Sequence, residues 1–326
     1  MRRICRVLII ATICVLLSGA LLGCGSGQGT ALALLPAPPL SQVKGYVAQA
    51  PIHVQTTLPK APQTLMVYRI SYPEVNDEYV SRLRRALALE GQAEAGADSI
   101  MVRDGAVALE VYRATGAFWY KDTTRLWSGK RPAALPDAAA GASLATALLA
   151  RVGLLPENMI FAGTGHSNVT IYDTATGQQT SYDTDLHVNF RLMVQEMPVE
   201  GPGAKIKAYL GDNGELIGLY WATFGIQPYR PYPIISAERA VESLQESGVI
   251  STLKQVRRVN LTEVSLVYYA GPGLERQEYL EPVYRMAGTV EGEEGVAEYV
   301  QYVPAIEGRY LKPSPAPDAE SPAREP

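Results

Sequence analysis

Stretches of alternating apolar and polar residues, separated by tight turns, constrain the fold of this chain more than any other feature of its sequence. Across residues 186–194 every second residue is apolar, which predicts a β-strand with one buried face. Asp104-Gly105 and the segment 211–214 each separate two such stretches, and their residue types tolerate the positive φ that hairpin turns need. The sequence therefore predicts antiparallel hairpins rather than parallel strands joined by crossovers.

Three segments carry helix signals, and strand-like stretches follow each of them. Residues 76–90, 137–151 and 236–247 each begin at a residue that can cap a helix, and a glycine lies within two residues of each end. The capping residues are Asn76, Asp137 and Ser236. We therefore expect an α+β protein of tandem small modules, in which each module packs a helix on an antiparallel sheet.

The first 24 residues have the layout of a secretory signal. Three arginines precede an apolar run at 7–17, and the segment ends in Leu21-Leu22-Gly23-Cys24. This ending resembles the lipobox of bacterial lipoproteins, which implies a signal peptide at 1–23 and acylation of Cys24, with palmitate as a typical acyl group. The alternatives are an uncleaved anchor, although the apolar run is shorter than the roughly 18 to 20 residues of a membrane span, or a cut elsewhere.

The cysteines and the charge exclude several classes of function. All three cysteines precede residue 25, so the mature body has no disulfide, no thiolate metal ligand and no catalytic thiol beyond Cys24. Without the three signal arginines, 26 Lys and Arg face 33 Asp and Glu, so the net charge falls from -4 to -7. The basic footprint of a nucleic-acid-binding protein is absent. We expect no nucleic-acid partner and no cofactor.

A spacer and a tail bracket the predicted folded part. Residues 24–64 combine the lipidated Cys with a proline-rich, extended spacer, and residues 312–326 are predicted to be a disordered tail. Between them we expect an N-terminal α+β module at 65–134, a second module at 135–234 and a third at 235–311. The protein is predicted to be lipid-anchored on the extracytoplasmic face of the cell membrane.

Short motifs in the second and third modules resemble a known family. Met197-Pro198-Val199-Glu200-Gly201, followed by Asp212-Asn213-Gly214-Glu215, resembles PepSY-type modules and the related propeptide modules of thermolysin-like peptidases. Tyr279-Leu-Glu-Pro-Val-Tyr-Arg-Met-Ala-Gly288 is similar in a weaker way. Comparable arrangements occur in the YycH and YycI regulators of sensor kinases. The resemblance covers about 135–305 and implies a non-enzymatic role, either on a peptidase or on another envelope partner.

One polar cluster has the composition of a catalytic or metal site. Strand alternation places Asp183, Asp185 and His187 on one sheet face, which Asn189 and Arg191 continue. These side chains could share a metal with ligands from elsewhere, or they could be the solvated face of an antiparallel strand. The second interpretation is favoured because no second His lies at ligand spacing, so we predict no catalytic residue and no metal ligand.

The aromatic content supports an alternative function. Tyrosines number 19 against 4 Phe, and an aromatic set could line a groove for carbohydrate or peptide. The set comprises Trp119, Tyr120, Trp127, Tyr220 and Trp221. The leading hypothesis is a non-catalytic protein that binds or regulates an envelope partner, such as a sensor kinase or a peptidase. The alternatives are a solute- or polysaccharide-binding lipoprotein and a metal-dependent hydrolase that uses Asp183, Asp185 and His187.

Overall fold

Hydrogen bonds join fifteen strands of the chain into one mixed sheet, accompanied by three α-helices within the described residues. The structure is a computed structural model and describes residues 31–40 and 45–313. The predicted signal peptide, Cys24 and the tail beyond residue 313 lie outside the described residues. Strands account for 48% of the described residues and helices for 15%.

The secondary structure alternates long hairpins with single helices. In chain order, the first strands are β1 (Tyr46–Ala48), β2 (Ile52–Val54), β3 (Thr64–Ser71), β4 (Ala93–Ala95), β5 (Ser99–Asp104), β6 (Val107–Tyr112), β7 (Phe118–Asp122), β8 (Met159–Tyr172) and β9 (Gln179–Val194). The later strands are β10 (Met197–Glu200), β11 (Lys205–Leu210), β12 (Leu216–Ala222), β13 (Gly225–Pro233), β14 (Val249–Ser251), β15 (Arg258–Tyr269), β16 (Tyr279–Gly292) and β17 (Gly295–Pro304). The helices are α1 (Asp77–Ala86), α2 (Ala138–Arg151) and α3 (Ala237–Ser247), with 3-10 turns at Asp212–Gly214 and Gly308–Tyr310.

The sheet runs in the order β13-β3-β16-β15-β10-β9-β11-β12-β7-β6-β5-β4. Three more strands join it from the side, because β17 pairs with β16, β2 with β15 and β8 with β9. Strands β1 and β14 form a separate two-stranded sheet. The pairings are antiparallel except for β10 with β15 and β2 with β15, which are parallel.

The predicted fold class, tandem modules of one helix on one antiparallel sheet, is wrong. The protein is mostly β, and hydrogen-bonded ladders cross the positions at which the modules were expected to divide. Strand β7 pairs with β12, β10 pairs with β15, and β3 lies between β13 and β16. An edge strand of one region therefore finds its backbone partners in the next region, which makes the sheet continuous.

The predicted capping residues of the three helices are confirmed. Asn76 accepts a hydrogen bond from the Tyr79 amide, Asp137 from the Ala140 amide and Ser236 from the Arg239 amide. Gly248 ends α3 at a φ of 85°. Helix α1, in contrast, ends four residues earlier than predicted, at Ala86.

The main core lies between α2 and the central strands. The predicted alternation in β9 is confirmed, since Leu186, Val188, Phe190, Leu192 and Val194 are all buried. Ala145 and Leu149 of α2 belong to the same apolar cluster as four of these five side chains, Val188, Phe190, Leu192 and Val194. Strand β9 therefore presents one face to the core, and its other face carries the polar residues considered below.

Residues of the predicted spacer contact the C-terminal strands. Leu35 is buried and forms a parallel bridge with Leu311, while β1 and β2 pair with β14 and β15. Backbone hydrogen bonds thus hold part of this segment against the body of the protein. Among the described residues, no helix combines the length and the apolar character that a membrane crossing requires.

Candidate functional site

The longest hairpin of the described chain, β8 with β9, carries the polar residues singled out by the sequence. The register runs from Met159 opposite Leu192 to Tyr172 opposite Gln179, with irregularities after Phe161 and after Ser167. On its other side β9 pairs with β11. Strand β9 is therefore internal to the sheet, whereas β8 forms an edge.

The outer edge of β8 has no strand partner among the described residues. The 14-residue strand contains no Pro, Lys, Arg, Asp or Glu, so it lacks the residue types that usually block pairing at an edge. Its exposed apolar side chains are Ile160, Phe161, Ile171 and Tyr172, with exposed fractions of 44%, 49%, 51% and 63%. A long unpaired backbone is thus flanked by apolar side chains at both of its ends.

Two other edges of the same sheet are protected. Strand β13 carries Pro228, Pro231 and Pro233, which lack the N–H group that a further strand would need. Strand β4 is only three residues long and carries Glu94. Compared with both, β8 is better suited to accept an additional strand.

Asp185 and His187 lie together on β9. The imidazole Nδ1 is 3.3 Å from Oδ1 of Asp185, whose side chain is only 1% exposed. Asp183 lies apart from the pair at the surface, where its carboxylate accepts a hydrogen bond of 3.2 Å from Asn168. Because the register shifts opposite Ser167, Thr184 has no cross-strand partner on β8. This bulge lies between Asp183 and Asp185, so it separates Asp183 from Asp185 and His187.

The electrostatics of the Asp185–His187 pair follow from its partners. Burial raises the pKa of the Asp185 carboxyl, but hydrogen bonds from His187 and Ser167, together with the charge of His187, outweigh burial and lower that pKa. Burial lowers the pKa of Lys207, an effect that the Asp185 carboxylate opposes. Burial and the same carboxylate raise the pKa of Tyr209 to about 12. Asp185 is therefore an ionised carboxylate inside the sheet.

Neighbouring strands shape the space around the His187 ring. Gly165 of β8 lies opposite His187, and a Cβ atom there would come within 2.5 Å of the imidazole Nε2. Tyr209 of β11 lies on the other side, with its ring centre 5.7 Å from that of His187. Among the described residues, no three His, Cys, Asp or Glu side chains converge as metal ligands.

The predicted aromatic set divides between two places. Trp119 contacts Tyr220 at a ring-centre distance of 4.8 Å and Trp127 at 5.6 Å. Trp221 instead stacks on Phe118 at 5.4 Å, within the main core. Sequence reasoning missed Tyr209, which joins the first group, although its spacing from Lys205 and Lys207 along β11 could have placed it on that face.

Comparisons with known proteins give no family for this chain. No protein-family model matches it, and no curated protein matches. Among solved structures it is similar to an uncharacterized protein from Eubacterium rectale ATCC 33656, with 9% sequence identity and a TM-score of 0.44. That match covers 78% of this chain and 86% of the other.

Proposed function

We propose that this protein is a lipid-anchored, extracytoplasmic and non-catalytic protein that binds an extended segment of an envelope partner along β8. The observation that carries the proposal is the unpaired outer edge of β8. The extracytoplasmic location and the anchor are inferred from the signal-like segment and Cys24. The resemblance to PepSY-type modules stays a prediction, and it agrees with a role in partner binding.

Strand addition is the binding mode that suits this edge. The backbone groups of β8 that point away from β9 can form a ladder with an incoming strand, and that ladder supplies affinity for any extended chain. Side chains beside the edge supply selectivity. Because Phe161 and Ile171 are apolar and about half exposed, we expect a partner segment with apolar residues at alternate positions.

The occupant is expected to be another protein rather than the tail of this chain. Residues 312–326 contain five prolines, and a proline cannot donate a backbone hydrogen bond to a sheet. A second copy of the chain could also pair edge to edge. The experiment below separates that outcome from a different partner by the mass and identity of the adduct.

Site-specific photocrosslinking in the lipidated, full-length protein tests the proposal. In one variant a photoreactive residue replaces His166 on β8. In the matched control it replaces Gln227 on the protected edge strand β13. Both side chains are exposed. We expect an adduct with an extended segment of an envelope protein from the β8 position only. Ile171→Lys should lower its yield about tenfold, since a charge at the edge disfavours pairing and tenfold corresponds to about 1.4 kcal/mol.

Val296→Lys is the matched substitution, because Val296 is an exposed apolar residue near the end of the β16–β17 hairpin. It should leave the β8 adduct unchanged. Equal adducts from His166 and Gln227, an adduct that contains only a second copy of this chain, or a yield insensitive to Ile171→Lys would contradict the proposal.

A further inference from the structure

A second feature, independent of the β8 edge, is a cleft bordered by α1, by the turn between α2 and β8, and by the turn between β12 and β13. Its volume is about 610 Å³, which lies within the range of roughly 300 to 1,000 Å³ that small-molecule sites occupy. Four aromatic rings line it: Tyr72, Tyr79, Trp221 and Phe224. The cleft is open to solvent at Arg82 and Asn158, both of which are exposed.

Three of these aromatic side chains already have a hydrogen-bond partner within the protein. The Tyr79 hydroxyl donates to the Gly116 carbonyl at 2.6 Å, and Trp221 Nε1 donates to the Leu154 carbonyl at 2.9 Å. The Tyr72 hydroxyl accepts a hydrogen bond from the Gln277 amide at 3.0 Å. The rings therefore offer the cleft mainly apolar surface, which favours an apolar ligand body rather than a strongly hydrated one.

The free polar groups of the cleft are hydrogen-bond donors or neutral groups. Within the described part of the chain, the Arg82 guanidinium has no ion pair, and its Cζ lies 5.1 Å from the centre of the Tyr79 ring. No Asp or Glu is among the residues that line the cleft, so no lining carboxylate competes for Arg82. An apolar cleft with one guanidinium and no lining carboxylate complements a ligand that carries a carboxylate.

We infer that this cleft binds a carboxylate joined to an aromatic or branched apolar body. The carboxylate lies against Arg82, within reach of the Asn158 amide, and the apolar body packs against Phe224 and the other rings. A small organic acid and the C-terminal residue of a peptide share this chemistry. The inference does not depend on β8, because strand addition needs none of these side chains.

Calorimetric titration of the full-length protein with two matched probes tests the inference. N-acetyl-L-phenylalanine carries the carboxylate, and its amide lacks only the charge. We expect the acid to bind at least tenfold more tightly than the amide. Arg82→Gln should remove that difference, whereas Arg103→Gln, which alters an exposed arginine paired with Glu94, should not.

Two further measurements distinguish a peptide C-terminus from a small organic acid and check that a variant is folded. Tighter binding of the peptide Ala-Ala-Ala-Phe than of the acetylated amino acid assigns the cleft to peptide ends, and the reverse order assigns it to small acids. Phe224→Ala should weaken binding of acid and amide equally, with circular dichroism confirming the fold. Equal binding of acid and amide, no binding of either at millimolar concentration, or a preference that survives Arg82→Gln overturns the inference.

Discussion

Folding shifts the pKa values of two buried carboxylates, in different parts of the sheet, in opposite directions. Asp185 on β9 and Glu281 on β16 are each only 1% exposed. Folding lowers the pKa of Asp185, because His187 and Ser167 outweigh the cost of burial. Burial raises the pKa of Glu281 to about 8. Equal burial therefore leads to an ionised group in one place and a protonated group at neutral pH in the other.

The difference lies in what each carboxylate contacts. Neither carboxylate oxygen of Glu281 has a hydrogen-bond partner among the described residues. Its cross-strand neighbour is Tyr269, which forms a small apolar cluster with Val267 and Val283, and Leu40 packs on that cluster. A charge at Glu281 would be buried without a hydrogen-bond partner, whereas Asp185 faces an imidazole. Burial alone raises the pKa of an acid, and specific partners reverse that shift.

The largest expected effect comes from Glu281→Gln. An acid whose pKa rises on folding, here from 4.5 to about 8, binds more protons in the folded state between those values. The free energy of unfolding therefore falls as the pH rises through that window. Gln removes the ionisation, so the variant should be more stable at pH 9 by a few kcal/mol, with about 5 kcal/mol as an upper bound. Urea denaturation at pH 5, 7 and 9 measures this.

Glu298→Gln is the control, because Glu298 lies on the neighbouring strand β17 and is exposed. Its stability should follow that of the unsubstituted protein at each pH. If Glu281→Gln also leaves the pH dependence unchanged, then Glu281 has a partner or a water that keeps it ionised, and the contrast with Asp185 fails.

The second prediction concerns Asp185→Asn. Asn keeps the shape but loses the negative charge that pairs with His187, so the free energy of unfolding at pH 7 should fall by about 1 to 3 kcal/mol. Because folding lowers the pKa of Asp185, its contribution is present above the unfolded value of 3.8 and is lost as the pH falls through the folded pKa. The variant and the unsubstituted protein should therefore converge in stability at low pH.

Asp183→Asn provides a matched comparison two residues away, since the Asp183 carboxylate is 46% exposed. We expect a change within about 0.5 kcal/mol at pH 7, as is usual for surface substitutions. Equal effects of the two substitutions would mean that the bulge at Thr184 does not distinguish the two carboxylates.

Local signals were sufficient to predict much of the secondary structure. The alternation through Val188 and Phe190 identified the buried face of β9, and Asp104-Gly105 marked the β5–β6 hairpin. The parallel pairing of Val199 with Tyr268 and the pairing of Tyr279 with Arg69 join residues far apart in the chain. No periodicity within either segment encodes those pairings, which is why the sheet appeared divided into modules.

The candidate site was predictable only within one strand. A spacing of two placed Asp185 and His187 on the same face, as the structure shows. Strand β8 was missed because its central residues, among them Thr164, His166 and Asn168, are polar and show little alternation of apolar and polar residues. Strand β13 was not predicted either, and its prolines are tolerated because it lies at an edge of the sheet. Gly165 and Tyr209 lie beside His187 because the strand register pairs them with it. That register cannot be derived from the sequence of any one strand.

The third prediction, smaller than those for Glu281 and Asp185, is Gly165→Ala, which tests whether the fixed position of His187 accounts for the low pKa of Asp185. An added Cβ would meet the His187 ring at 2.5 Å, so the ring has to shift, and we expect its 3.3 Å contact with Asp185 to lengthen. We expect a loss of about 1 kcal/mol in the free energy of unfolding, at the lower end for overpacked sites. Gly308→Ala is the control, because no atom lies within 4 Å of the added methyl group.

A double-mutant cycle assigns that loss to the imidazole. Once His187→Ala has removed the ring, Gly165→Ala should cost nothing or stabilise slightly, since Ala loses less backbone entropy than Gly on folding. Gly165→Ala alone should also raise the pKa of Asp185, which the carboxyl carbon resonance in an NMR titration reports. An equal loss with and without His187 would mean that the added methyl group acts on the strand itself. The low pKa of Asp185 would then depend on Ser167 more than on the orientation of the imidazole.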